Sequence, residues 1–126
     1  MTENPADPPR EAEIERYLDP RLSDDALYAA LADSAGLGAD ELDRSGAGKT
    51  MFSRVWRQAA DKVCANKMVA AYIRDPTASD ATAIAAQIIN LLVAVKGINV
   101  VIVACLAMRI GLRKLCVERE TITAPE

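Results

Sequence analysis

Three consecutive residues have the sharpest chemical potential in this chain. Gly48-Lys49-Thr50, in the stretch LDRSGAGKTMF, spell the end of a phosphate-binding loop. A working loop of that kind reads G-x-x-x-x-G-K-[ST] between a strand and a helix. Its first glycine permits the tight turn, its backbone N–H groups cradle the phosphates, and its lysine reaches the β- and γ-phosphates. Here the residue five before Gly48 is Asp43, which puts a like charge at the mouth of the cradle. The preceding SAGLGADEL contains no apolar strand. A nucleotide site is therefore not expected. What survives is a helix N-terminus with a lysine, and such an end holds a single anion. Gly48, Lys49 and Thr50 form a candidate weak anion site for a phosphate or carboxylate group.

The remaining residues offer no reaction centre. There is no histidine, which excludes Ser-His-Asp and Cys-His catalysis and imidazole-ligated zinc. Cys64, Cys105 and Cys116 are odd in number, lack C-x-x-C spacing and sit among apolar neighbours. They are expected as buried, inert thiols in a reducing compartment, with Cys116 the most reactive candidate because Arg113 and Lys114 are close in sequence. No catalytic, metal-binding or cofactor-binding residue is assigned, no small-molecule substrate is implied, and the chain is not expected to be an enzyme.

Charge is the stronger signal. Residues 1–43 carry a net charge of −9 and residues 44–75 a net +5, within a total of −3. Lys49, Arg54, Arg57 and Lys62 lie off the apolar stripe of their helix and form a candidate interaction face. That face suits a protein partner or a second copy of the chain. A solvated surface neutralised by the acidic N-terminal third is the plainer reading. Nucleic acid is disfavoured, because phosphate contacts dominate that affinity and the protein is net acidic.

These side chains must be positioned by helices. Alanine occurs 23 times and aromatics make up only 4% of the 126 residues, which favours closely packed helices. The Ala and Arg usage also points to a GC-rich bacterial genome. Residues 1–8, with two prolines, are expected to form a disordered lead. A first helix follows from Pro9, with Ile14, Tyr17 and Leu18 on one face and Asp19-Pro20 as its end. Ser23 is a candidate N-cap and Gly36 a helix stop. A short helical turn is expected over ADELDR.

From Lys49, the residues Phe52, Val55, Trp56, Ala59 and Val63 mark one helical stripe. Asn66 breaks that helix and restarts another. Ser79 or Asp80 caps a helix to about Lys96 with the stripe Ile84, Ile88, Leu91, Leu92 and Val95. Gly97 is its expected left-handed stop and Asn99 caps a last helix to about Val117. The β-branched run at 98–103 leaves a strand as the competing assignment there.

The expected fold is all-α: a compact single-domain bundle of five to seven helices over residues 9–117, around a C-terminal antiparallel apolar hairpin at 81–116. Residues 118–126 form a frayed tail. A bilayer span needs roughly 20 apolar residues, and the uncharged stretches 81–95 and 97–108 are both too short. The N-terminus has no signal-peptide design, so a cytoplasmic location is expected. The expected role is a non-catalytic interaction or adaptor module. The alternatives are a conditional membrane-acting effector using the 81–116 hairpin and a nucleic-acid-binding domain using the Lys49–Lys62 face.

Overall fold

A computed structural model describes residues 7–36, 44–77 and 79–116, and no strand occurs among them. Six helices run α1 (Asp7–Leu18), α2 (Asp24–Ser34), α3 (Arg44–Ala65), α4 (Lys67–Arg74), α5 (Ala81–Leu91) and α6 (Val100–Ile110). A short α7 covers residues 112–116. The fold is all-α, and the strand alternative at 98–103 falls away.

α6 is the centre of the bundle. Every residue from Val101 to Ala107 is buried, because a helix that is apolar on all sides must be enclosed on all sides. α1, α2, α3 and α5 all pack against it. Side chains from the remaining helices complete a single core, including Ile14, Leu27, Leu31, Trp56, Val63, Val69, Ile84 and Ile88.

Local chemistry sets most of the helix ends. The Ser23 side chain accepts from the N–H of Ala26, and Asp24 and Asp25 occupy the first turn of α2, where carboxylates suit the dipole. Asn66 accepts from Met68 and Val69 and so starts α4. Asn99 accepts from Val101 at the start of α6. Such caps replace partners that the first helical N–H groups lack. Asp80 occupies the N-cap position of α5 without a side-chain hydrogen bond.

Three boundaries differ from the expectation. α1 already includes Asp7 and Pro8, and residues 1–6 lie outside the described region. α5 ends at Leu91, so Gly97, with φ +85°, falls in the non-helical connection at 92–99 and does not terminate the helix. The β-branched Val93 and Val95 weaken helix formation in that stretch. α6 stops at Gly111, whose φ of +112° breaks the expected 100–117 helix into α6 and α7. Most of the ADELDR turn and the whole 118–126 tail lie outside the described residues.

A further correction concerns residues 44–48. The helix expected from Lys49 begins at Arg44, so Ser45-Gly46-Ala47-Gly48 is part of the start of α3. α2 and α3 form the most extensive helix pair in the bundle. Gly48 is buried at their crossing, and a Cβ placed there would stand 1.8 Å from the Tyr28 carbonyl oxygen. Only glycine lets the two backbones approach this closely.

Candidate functional site

The early start of α3 removes the physical basis for the Gly48-Lys49-Thr50 anion site. Only the first four N–H groups of a helix are unpaired, and in α3 these belong to residues 44–47. Gly48, Lys49 and Thr50 lie beyond them, so their N–H groups point back along the helix. The Thr50 hydroxyl donates to the Gly46 carbonyl at 3.2 Å. The glycine that resembles a phosphate-loop residue is a packing residue.

The candidate basic face divides into two parts. Lys49, Arg54 and Arg57 come together with Thr50 and Ser53 around a shallow depression of about 350 Å³. Lys62 lies further along α3 and lines a different depression of about 390 Å³. There it is joined by Lys96, Ala59, Leu92 and Val95. Sequence spacing could not reveal the Lys62–Lys96 neighbourhood, because Lys62 is on α3 and Lys96 lies 34 positions away in the connection between α5 and α6.

Among the described residues, acids of α2 lie against the beginning of α3. The Arg44 guanidinium meets the Asp33 carboxylate at 2.6 Å. The Lys49 ammonium is 3.9 Å from Asp25 and stands 5.7 Å above the Tyr28 ring. Desolvation is the larger cause of a raised Tyr28 pKa, and the first-turn carboxylates of α2, Asp24 and Asp25, add to it. Arg54 and Arg57 are exposed, and among the described residues neither makes an ion pair. The plain reading of a self-neutralised surface holds for Arg44 and Lys49. It does not hold for Arg54 and Arg57.

Arg109, in the last turn of α6, organises the junction of α1 and α2. Its Nη1 donates to the Tyr17 carbonyl at 2.9 Å and the Asp19 carbonyl at 3.0 Å. Nη2 donates to the Leu22 carbonyl, and Nε meets Asp24 at 2.7 Å. The planar five-donor guanidinium suits this divergent set of acceptors. One side chain thereby satisfies the C-terminal end of α1, the α1–α2 turn and the first turn of α2.

The cysteines overturn the expectation of three free thiols. Cys64 and Cys116 form a disulfide, with an S–S distance of 2.06 Å, Cα atoms 5.8 Å apart and 52 positions between them. It ties the last turn of α3 to α7. The sequence gives no hint of this pairing, since only the tertiary fold brings two such distant helices side by side. Cys116 is therefore not a reactive thiol. Cys105 is free and fully buried, and burial pushes its pKa up to about 12. Disulfides persist in oxidising environments, so the cysteines no longer support a reducing compartment.

Among the described residues, no helix is long and apolar enough to cross a membrane. α5 and α6 have 11 residues each, about 16 Å of helix against a hydrocarbon core of about 30 Å. Comparison with models of known protein families finds no match, and no curated protein or solved structure matches the chain either.

Proposed function

We propose that the chain is a non-catalytic helical interaction module whose working surface is the Arg54/Arg57 face of α3. One observation carries this reading. The two guanidiniums line an open depression with Lys49, Thr50 and Ser53, without an acidic side chain in the lining and without an ion pair to either arginine among the described residues. Guanidiniums one helical turn apart form a fork matched to carboxylates. An acidic protein surface is favoured over nucleic acid because the chain has a net charge of −3, and long-range repulsion opposes a polyanion. The disulfide supports work in an oxidising compartment.

The test is charge reversal. Arg54→Glu/Arg57→Glu is expected to keep the native circular dichroism and thermal midpoint, since both residues are exposed. It is expected to lose proteins that the unmodified chain retains from its own cell extract. A variant that recovers every partner at native levels overturns the assignment. Salt-dependent binding of a DNA or RNA oligonucleotide, abolished by the same substitutions, would also overturn it in favour of nucleic acid.

A further inference from the structure

The acidic partner of the α3 face is present in the chain itself, on a helix that does not reach that face. Glu11 and Glu15 are exposed on α1 and stand one helical turn apart. Among the described residues neither makes an ion pair. The inward side of α1 is occupied by the buried Ile14 and the half-buried Tyr17 and Leu18, which pack into the core. α1 lies against α5 and α6, whereas α3 packs chiefly on α2. Two carboxylates and two guanidiniums of similar spacing are therefore displayed by different helices, and neither pair is engaged in an ion pair among the described residues.

From this complementarity we infer that a second copy of the chain docks its Glu11/Glu15 face on Arg54 and Arg57, giving a head-to-tail contact. The inference rests on the Arg54/Arg57 reading above and names its partner. Residues spaced by three or four positions on a helix are surface neighbours, so Glu11–Glu15 and Arg54–Arg57 present two charges each at similar separations. The segregation of charge extends past these four residues, with a net −9 over residues 1–43 and a net +5 over residues 44–75. Head-to-tail copies set Glu11 and Glu15 of one copy against Arg54 and Arg57 of the next. A symmetric pairing through either patch alone would oppose like charges. A heterologous contact leaves an unused patch at each end and propagates into a ring or an open chain.

Exposed charge pairs are screened by salt, so association should be weak and ionic-strength dependent. Analytical ultracentrifugation of the full, disulfide-intact chain is expected to show self-association at low salt. The association constant should fall by about tenfold or more when added salt brings the screening length below ~10 Å. Arg54→Glu/Arg57→Glu and Glu11→Lys/Glu15→Lys should each be monomeric, because each opposes like charges. Mixed in equal amounts they should associate again, since every contact between the two variants is once more between unlike charges.

A chain that remains monomeric at low salt overturns the self-docking, as does a variant mixture that fails to associate. A poly-glutamate peptide separates the two proposals. A monomeric chain that binds this peptide through Arg54 and Arg57 overturns self-docking and leaves the α3 face as an acidic-partner site. A monomeric chain that does not bind it overturns both.

Discussion

Gly48 of α3 and Tyr28 of α2 meet backbone to backbone, so closely that a Cβ on Gly48 would lie 1.8 Å from the Tyr28 carbonyl oxygen and 2.8 Å from its Cα. The aromatic cluster beside this crossing depends on it. Tyr28 meets Phe52 edge-on at 6.3 Å, and Phe52 stacks on Trp56 at 6.0 Å. Such pairs prefer edge or offset geometries over this separation range.

Gly48→Ala is expected to destabilise the fold by about 2 kcal/mol or more, because backbone atoms must shift to admit the methyl group. Gly46 is its internal control, since nothing lies within 4 Å of a Cβ placed there. Gly46→Ala is expected to stabilise by about 0.5–1 kcal/mol through helix propensity. Urea unfolding of the two variants gives both values. Equal behaviour at the two positions would show that the close crossing does not exist.

The disulfide closes a loop of 52 positions, for which the chain-entropy relation gives about 4 kcal/mol of stabilisation at room temperature. Cys64→Ser/Cys116→Ser, or reduction, should lower the thermal midpoint by about 15 °C. Thiol titration supplies a separate reading. No thiol should react in the native state, and one should react in denaturant without reductant, from Cys105. Two further thiols should appear only after reduction. A native protein with reactive Cys64 or Cys116 would contradict the pairing.

Replacing Arg109 frees three carbonyls and the Asp24 carboxylate at once. Arg109→Met retains much of the apolar stem and is expected to cost about 2–4 kcal/mol, within the range for losing charge-assisted hydrogen bonds from a partly buried site. Arg109→Lys should recover only part, because a single ammonium cannot span the same acceptors. Hydrogen exchange should report faster opening in α1 and the α1–α2 turn than in α5. Unchanged protection in α1 would remove Arg109 from this anchoring role.

Asp19 should make stability depend on acid pH. Its side-chain and backbone hydrogen bonds from Arg21 lower its pKa from 3.8 to about 2. A carboxylate depressed on folding contributes stability above its unfolded pKa and loses that contribution as pH falls through the folded value. The contribution of Asp19 should therefore fade between about pH 4 and pH 2. NMR titration of its carboxyl group should place the midpoint well below 3.8. A midpoint near 3.8 would show that the Arg21 interaction does not persist in solution.

Much of this architecture was legible along the chain, for local reasons. Ser23, Asn66 and Asn99 cap helices because a side-chain oxygen reaches an N–H two or three residues away. The Phe52, Val55, Trp56, Ala59 and Val63 stripe is buried because a 3.6-residue period places it on one face. The all-α class follows from such periods, and the segregation of charge is visible by counting.

Other features exist only where distant segments meet. The start of α3 at Arg44 overrides the weak helix propensity of Gly46 and Gly48, because Gly48 lets α2 and α3 close upon each other. Tertiary proximity made Cys64 and Cys116 partners, and it turned Arg109 into the clasp of α1 and α2. It also placed Lys96 beside Lys62, and set Asp33 and Asp25 against Arg44 and Lys49. Sequence determined which groups carry charge and which faces seek burial. Their neighbours were decided by packing, because contacts between helices depend on where backbones cross and no period along one segment encodes that.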